Sequence, residues 1–203
     1  MAYLVLVRHG ESEWNAQGLW TGLTDIPLSE KGKEEAQTAA HLIKDIPFDV
    51  VFTSALTRAK QTFDEMKSVL SQNNPLQIFE EAAINERDYG DLTGKNKWEI
   101  KKHFGEKQFL KWRRSWEESV PGGESLKDVY NRVIPYYQKN ILPCILKGQN
   151  VLIVAHGNSL RALIKYLENI SDSDIPTVEI KTGQIYLYTI DKTGEIISKE
   201  IRG

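Results

Sequence analysis

Cysteine is nearly absent from the sequence: Cys144 is the only one in 203 residues, so the chain can form no internal disulfide. A lone cysteine fits a reducing compartment such as the cytoplasm. No apolar run approaches the ~20 residues that a membrane span requires. The first residues pass directly into an apolar strand pattern, without the features of a signal peptide. We therefore expect a cytoplasmic protein with no membrane partner.

An excess of charge of either sign is also missing. The 26 Lys and Arg residues are nearly balanced by 28 Asp and Glu residues, which gives a formal net charge of −2. Such a chain has no broad attraction for nucleic acid, so any anion site must be a local concentration of cationic side chains. We also find no clustered Asp, Cys and His pattern that would predict a metal site.

Strand and helix patterns alternate along most of the chain, which predicts the α/β class. Strands are predicted at residues 4–7, 50–52, 76–79 and 151–154, and a final pair at 185–190 and 196–197 adds antiparallel character at one side of the sheet. A chain of 203 residues is long enough for a substantial core. We expect residues 1–203 to form a single domain.

Local signals refine the helical segments. Ser29 is a suitable N-cap, Pro135 is expected to kink its helix, and Pro143 is expected to mark that helix's end. Residues 73–75 predict a turn. The pattern at residues 98–116 predicts helix, with a possible split at Phe104 and Gly105. Within it, three aromatic residues recur at helical spacing and predict a core-facing stripe: Phe109, Trp112 and Trp116.

The first strand carries the strongest functional signal. Residues 4–7 are branched aliphatics, which predicts a strand buried on both faces. Arg8, His9 and Gly10 follow at once, and Asn15 lies close behind. Open α/β sheets bind ligands at the carboxyl ends of their strands. This arrangement therefore predicts an anion site that contains a nucleophile or a base.

A second stretch repeats this arrangement. Residues 151–154 form another solid apolar run, followed by His156, Gly157 and Asn158 and then by a helix predicted at residues 160–167. A single histidine at a strand end is usually a hydrogen-bonded structural residue. Two histidines in matching contexts favour an active site.

Other polar residues are candidates with plainer alternatives. Thr21 and Gly22 lie in a long loop at residues 18–32 and suit phosphate oxygens, although ordinary turn chemistry explains them equally well. Arg58 lies in the first turn of a helix, where the dipole disfavours a cation, so it either serves a ligand or is an exposed surface arginine.

Two further groups have the same ambiguity. The segment at residues 84–99 is predicted as a loop and contains Glu86, Tyr89 and Lys97, which suggest a general acid and polar substrate contacts or merely a charged loop. Arg113 and Arg114 either flank one pocket or belong to a solvated helix face.

The chemistry of these groups points to phosphoryl transfer. Neutral imidazole is a good nucleophile, and attack by His9 on phosphorus would form a phosphohistidine. The transferred group needs cationic and hydrogen-bonding donors around its oxygens. A suitable set without a metal is Arg8, Arg58, Asn15 and His156.

At this point the chain resembles a known family. Arg8-His9-Gly10 with the distal His156-Gly157 pair resembles the histidine phosphatase superfamily, and the remaining motifs are similar to those of its cofactor-dependent phosphoglycerate mutase branch. These motifs are LVRHGESEWN, WTGLTDIPLSEKG, TSALTRAKQT, NERDYGDLTGKNK, WRRSW, PGGESL and VLIVAHGNSLRALIKYLE. The resemblance implies a three-layer α/β fold, with helices on both faces of a mostly parallel sheet that has one antiparallel strand.

The resemblance also implies roles. The reaction would be the interconversion of 3-phosphoglycerate and 2-phosphoglycerate in glycolysis and gluconeogenesis, with His9 phosphorylated by 2,3-bisphosphoglycerate and Glu86 acting as general acid and base. Arg8, Arg58, Asn15 and His156 would hold the phosphoryl oxygens. The remaining substrate contacts would be Thr21, Gly22, Tyr89, Lys97, Arg113, Arg114, Gly157 and Asn158.

Two departures from the family pattern concern closure of the site. The extra segment that many members carry between the Arg-Arg pair and the next helix is missing, and the chain stops soon after its last strand. We therefore expect more hydrolysis of the phosphoenzyme than in longer members.

Competing hypotheses remain. A phosphatase acting on a small phosphomonoester is the alternative enzyme, although the Lys97, Arg113 and Arg114 cluster favours a substrate with a carboxylate. A binding protein that has lost catalysis is a third hypothesis, and the presence of His9, Glu86 and His156 argues against it. The sequence leaves open a homodimer or a monomer.

Overall fold

The fold is built around one mixed β-sheet. The computed structural model describes residues 1–70 and 75–203, and within them six strands pair in the order β3-β2-β4-β1-β5-β6. The strands are β1 (Ala2–Arg8), β2 (Val50–Ser54), β3 (Gln77–Glu81), β4 (Val151–Ala155), β5 (Ile185–Ile190) and β6 (Ile196–Arg202). Every predicted strand is present, with bounds that differ by a few residues. Residues 73 and 74 of the predicted turn lie outside the described residues.

The helices follow the predicted alternation. They are α1 (Glu13–Ala16), α2 (Glu30–His41), α3 (Thr57–Lys67), α4 (Lys97–Arg114), α5 (Leu126–Tyr136), α6 (Leu142–Leu146) and α7 (Gly157–Leu167), with 3-10 turns at Ala82–Ile84, Gly90–Leu92 and Ile175–Thr177. Ser29 caps α2 as predicted. The sequence analysis missed α1, which is too short for periodicity and is held by a capping box between Ser12 and Asn15. It also began α7 three residues too late.

The sheet has one strand of opposite direction. β1 pairs in parallel with β4, and β2 pairs in parallel with both β4 and β3. β5 is antiparallel to both of its neighbours, β1 and β6, so β6 runs in the same direction as β1. The predicted mostly parallel sheet with one antiparallel strand is confirmed.

Helices cover both faces of the sheet, as predicted. Leu4 and Leu6 of β1 point into a core shared with α5 and α7, whereas Val5 and Val7 point into a second core shared with α2 and α3. All four side chains are fully buried. Successive strand residues face opposite sides, so a solid apolar run is what a strand between two helical layers requires.

A smaller apolar cluster supports the loops at the carboxyl edge of the sheet. It contains Trp20 together with Phe109 and Trp112 of α4. Gly105 interrupts α4 with a φ of 81°, at the predicted split. The prediction that Trp116 extends the Phe109 and Trp112 stripe is wrong, because α4 ends at Arg114 and Trp116 instead packs against the main core beside Tyr130.

The two prolines behave differently from each other. Pro135 lies inside α5, and the chain then widens into a π-helical segment, Tyr137–Ile141. A proline disturbs the turn before it, because it cannot donate to the carbonyl four residues earlier, so the widening after Pro135 is not its direct effect. Pro143 was predicted to end this helix, which is wrong: it lies in the first turn of α6, where its missing N–H costs no hydrogen bond.

The loop that follows β1 is fixed by contact between two glycines. A Cβ on Gly32 would lie 2.0 Å from the carbonyl oxygen of Glu11, and a Cβ on Gly10 would lie 2.1 Å from the carbonyl oxygen of Gly32. The backbone of Ser29 also donates to the Glu11 carbonyl at 2.9 Å. The chain directly after His9 is therefore held against the first turn of α2.

This contact makes Gly32→Ala destabilising. Helix propensity alone would favour alanine by about 1 kcal/mol, but the new methyl group would overlap backbone, and overpacking costs about 1–3 kcal/mol. We expect a net loss of up to about 2 kcal/mol in the free energy of unfolding, measured by urea denaturation. The control is Thr38→Ala on the exposed face of the same helix. A Gly32→Ala variant more stable than the wild type would contradict the contact.

Candidate active site

The carboxyl ends of β1, β2 and β4 adjoin a polar cleft with two hollows, which we name the inner and the outer hollow. Both are lined by Arg8, Glu86, Tyr89 and Arg113. The inner hollow is also lined by His9, Asn15, Trp20, Thr21, Gly22, Arg58 and Lys97. The outer hollow is also lined by Arg114, Gly157, Asn158, Arg161, Glu179 and Ile180. The fold thus brings the predicted site residues together, with His156 packed behind His9.

His9 is positioned by the sheet itself. It directly follows β1, and its backbone N–H donates to the carbonyl of Ala155 on β4 at 2.9 Å. Its Nδ1 lies 2.6 Å from the carbonyl oxygen of Gly10. A carbonyl can only accept, so Nδ1 carries the hydrogen and Nε2 keeps a free lone pair.

The surroundings of His9 keep its imidazole neutral. Burial is the main cause that holds the pKa of His9 well below its usual value, and the positive charges of Arg58 and Arg8 add to the effect. A neutral ring with an available Nε2 is the form that attacks an electrophile.

His156 is held by Ser54. The rings of His156 and His9 have centroids 4.8 Å apart with planes at 60°. His156 Nε2 lies 2.6 Å from Ser54 Oγ, which also accepts the N–H of Leu56 at 3.2 Å. Both contacts are satisfied when the Ser54 hydroxyl donates to Nε2, which leaves the hydrogen of His156 on Nδ1. Burial, followed by the charges of Arg58 and His9, lowers the pKa of His156, so this ring is a neutral donor.

Arg58 is buried beside the site and is not an exposed surface arginine. Its Nη1 and Nη2 donate to the carbonyl oxygens of Thr24 and Gly22 at 2.9 and 2.7 Å. Arg8 likewise donates through Nη1 to the carbonyl of Ile180. Neutral carbonyls orient these guanidinium groups without cancelling their charge, so both arginines stay available to an anion.

Several buried donors at the inner hollow have no partner. Arg8 Nε and Thr21 Oγ1, from two lining residues, are buried without a hydrogen bond to any residue in the described part of the chain, and so is Nδ1 of His156 behind His9. Buried polar atoms in folded proteins are normally hydrogen-bonded. An oxyanion bound in the inner hollow would supply the missing acceptors.

Glu86 has one oxygen used by the fold. Its Oε1 accepts the backbone N–H of Arg87 at 2.8 Å, and the backbone N–H and side-chain amide of Asn158 at 3.1 and 3.0 Å. Oε2 receives no hydrogen bond from residues 1–70 and 75–203. The geometry therefore fixes the carboxyl group through Oε1 and leaves Oε2 to carry or accept a proton.

A second cationic group lies across the cleft. Lys97 is the first residue of α4, and Arg113 and Arg114 are its last two residues. Burial lowers the pKa of Lys97 to about 8, with further contributions from the charges of Arg113 and Arg8. Both predicted arginines face the outer hollow, so they are not a solvated helix face.

The sequence analysis missed residues that support the site. Arg132 pairs with Glu124 and donates to the carbonyls of Ala83, Asn85 and Glu86, which clamps the segment that carries Glu86. Arg161 is nearly buried on α7 and donates to Asn158 Oδ1 at 3.1 Å. Arg161 could have been found from the sequence, because a single arginine in an otherwise apolar helix suggests a buried charge with a specific partner. Ser54 and Glu179 gave no signal.

Two further observations concern metals and membranes. Within residues 1–70 and 75–203, no group of three or more His, Cys, Asp or Glu side chains is placed to hold a metal ion. The expected independence from metal stays a prediction. Among the described helices, none combines the length and apolar character needed to cross a membrane.

Comparison with known proteins identifies the family. The model of the histidine phosphatase superfamily (branch 1) matches residues 4–200. Proteins named 2,3-bisphosphoglycerate-dependent phosphoglycerate mutase from Parvibaculum lavamentivorans and Rhodopseudomonas palustris are 48% and 49% identical to this chain. The alignments cover 98% and 97% of this chain, and 95% of each relative.

Solved structures share the fold of this chain. Bacillus stearothermophilus YhfR matches with a TM-score of 0.83 at 25% identity over 97% of this chain and 94% of that one. The alpha-ribazole phosphatase from Shigella flexneri matches with a TM-score of 0.79 at 26% identity over 98% and 94%. The chain therefore belongs to branch 1 of the histidine phosphatase superfamily, in the family of the 2,3-bisphosphoglycerate-dependent phosphoglycerate mutases.

Proposed function

We propose that the protein interconverts 3-phosphoglycerate and 2-phosphoglycerate, the step shared by glycolysis and gluconeogenesis, and that 2,3-bisphosphoglycerate primes it. The observation that carries the proposal is the pairing of two anion sites in one cleft. The inner hollow surrounds the His9 nucleophile with unpartnered donors, and the Lys97, Arg113 and Arg114 cluster adds positive charge for a carboxylate. A simple phosphomonoester requires only the first site.

The first half-reaction transfers a phosphoryl group to His9. Nε2 attacks the phosphorus of the bisphosphate in line with the leaving oxygen, so an N–P bond forms as the P–O bond breaks. Glu86 Oε2 gives its proton to that oxygen, which becomes the hydroxyl of a monophosphoglycerate. Arg8, Arg58, Asn15 and His156 hold the phosphoryl oxygens, where they oppose the developing charge.

The second half-reaction reverses these steps on a different oxygen. Glu86 takes the proton from a phosphoglycerate hydroxyl, and that oxygen attacks the phosphorus while the N–P bond breaks. His9 returns to its neutral form, and a bisphosphate again occupies the cleft. Release of the phosphoryl group at position 2 or 3 decides the product, because either oxygen can face His9.

The remaining side chains hold the rest of the substrate. The proposed contacts are Thr21, Gly22, Tyr89, Lys97, Arg113, Arg114, Gly157 and Asn158. Asn158 donates to both Glu86 and the hydroxyl of Tyr89, which supports its assignment as a link between the general acid and the carboxylate site. We further propose that residues 1–203 act as one domain, in the cytoplasm.

The expected hydrolysis of the phosphoenzyme stays a prediction. Relatives with the mutase name align over nearly their whole length with this chain, so a short connection after Arg114 is compatible with that name. The lifetime of phosphorylated His9 beside that of a longer member is the measurement that decides it.

Bisphosphate dependence tests the proposed reaction. In an assay coupled through enolase, conversion of 3-phosphoglycerate should depend strongly on added 2,3-bisphosphoglycerate, because His9 must be phosphorylated before the first turnover. Release of inorganic phosphate is followed in parallel. Conversion that needs no bisphosphate would sink the mutase hypothesis, and phosphate release without isomerisation would establish the phosphatase alternative.

Replacement of the nucleophile tests the covalent step. His9→Ala should abolish acid-labile labelling by 32P-bisphosphoglycerate and lower kcat by more than about a thousandfold, since it removes the Nε2 atom that takes the phosphoryl group. His41→Ala, at the exposed end of α2, is the matched control and should be labelled normally. Persistent labelling of the His9→Ala protein would remove His9 from its assigned role.

The pKa of Lys97 predicts a pH dependence of substrate binding. A pKa of about 8 means that Lys97 is charged at pH 7 and loses its proton as the pH rises. KM for 3-phosphoglycerate should therefore rise up to about tenfold between pH 7 and 9, because the charged fraction of Lys97 falls about tenfold over that interval. Lys97→Arg stays charged and should flatten the profile. Lys192→Arg, on the exposed β5–β6 turn, should not change it, and an unaltered profile in Lys97→Arg would contradict the assignment.

A further inference from the structure

The outer hollow contains a carboxylate that the proposed reaction does not use. Glu179 lines this hollow and forms an ion pair with Arg114, with Glu179 Oε1 and Arg114 Nη2 2.6 Å apart. Arg114 also lies 3.4 Å from the carbonyl oxygen of Val178 through Nη1. Besides the proposed general acid Glu86, a second carboxylate therefore lies in the wall of a cleft that is rich in cationic side chains.

The carboxylate of Glu179 interacts electrostatically with other arginines besides Arg114. The hydrogen bond from Arg114 is the main cause that lowers the pKa of Glu179, and the charges of Arg113 and Arg8 lower it further. Both of these arginines line the inner hollow as well as the outer one. Because Coulomb interactions are mutual, the negative charge of Glu179 reduces the positive potential that Arg8 and Arg113 create for an anion bound in the cleft.

The ion pair is not the only contact that holds Arg114. The side chain of Glu179 is 61% exposed and that of Arg114 is 22% exposed. Ion pairs with one exposed partner contribute little to stability. The guanidinium group of Arg114 also contacts the carbonyl oxygen of Val178, and its backbone carbonyl accepts a hydrogen bond from the buried Arg161 at 3.1 Å.

We infer that Glu179 is a specificity-determining residue, which weakens binding of the bisphosphate more than binding of the monophosphate. The inference rests on the proposed function, since it concerns the two classes of ligand that share this cleft. Coulomb repulsion grows in proportion to the charge of the ligand, and each phosphate adds about 1.5 to 2 negative charges. A cleft lined only by cations would retain the bisphosphate and exclude the monophosphate, and Glu179 offsets that bias.

Glu179→Gln removes the charge and keeps an oxygen that can accept from Arg114. Dissociation constants for 3-phosphoglycerate and 2,3-bisphosphoglycerate are measured by calorimetry in a His9→Ala background, where no phosphoryl transfer interferes. At about 8 Å in water, each unit of ligand charge changes affinity about twofold. With the carboxylate counted, the monophosphate carries about 3 negative charges and the bisphosphate about 5. We therefore expect about eightfold tighter binding of the monophosphate and about thirtyfold tighter binding of the bisphosphate, with the difference shrinking at high salt.

The control is Glu117→Gln. Glu117 forms a comparably exposed ion pair with Lys127, at 2.9 Å, and lines neither hollow. It should leave both dissociation constants unchanged. Equal tightening of both ligands by Glu179→Gln would overturn charge discrimination, and weaker binding of both would show that Glu179 only positions Arg114.

The proposed function fails separately. If the unsubstituted His9→Ala protein binds neither ligand, or the wild type does not isomerise phosphoglycerate, the substrate assignment is wrong whatever Glu179 does. If binding and isomerisation are present and the bisphosphate-to-monophosphate affinity ratio is the same with and without the Glu179 charge, only the Glu179 inference is wrong.

Discussion

The pairing of β1 with β4 is the constraint on which the site depends. Arg8 lies opposite Ala155 in this parallel register, so His9 and His156 leave the sheet at the same edge, one residue beyond the paired strands. The hydrogen bond from the His9 backbone to the Ala155 carbonyl closes the pairing at that point. A shift of one residue would turn each strand's apolar side chains to the opposite faces. The cores on both faces therefore fix the register, and the register fixes the distance between the two imidazoles.

The site concentrates positive charge in a chain that is almost neutral overall. Its arginines are oriented mainly by backbone carbonyls, which accept hydrogen bonds without contributing a formal negative charge. These contacts are Arg8 to Ile180, Arg58 to Gly22 and Thr24, and Arg161 to Ile175. Burial disfavours such charges, and it lowers the pKa of Arg58, Lys97 and Arg113. Burial deprives these cations of their interaction with water, and a bound anion replaces that interaction. The anion site is therefore preorganised at a cost in the stability of the free protein.

The two carboxylates of the cleft, Glu86 and Glu179, lie in different surroundings. Oε1 of Glu86 is saturated by three N–H donors, and the surrounding segment is clamped by Arg132, so Oε2 has a defined position for proton transfer. Glu179 lies at the outer end of the cleft and is largely exposed. We thus propose proton transfer for the rigid, buried carboxylate of Glu86 and tuning of ligand charge for the exposed carboxylate of Glu179.

The sequence by itself determined the class of the fold and its strands, and it predicted the principal site. Solid apolar runs ending in Arg8-His9-Gly10 and His156-Gly157 are local patterns, so both strands and both histidines could be read without coordinates. The interruption of α4 at Gly105 was also predictable, because a glycine is a local signal. The predictions for Trp116 and Pro143 were wrong. The helical spacing of aromatic residues continues past the end of α4, and a single proline does not by itself mark the end of a helix.

Only the tertiary structure decided which tautomer each histidine adopts, which oxygen of Glu86 is free, and which side chains complete the cleft. Ser54, Arg132 and Glu179 come from three separate segments, and their partners are far away in the chain. No periodicity encodes such contacts, because they arise from the packing of helices and loops around the finished sheet.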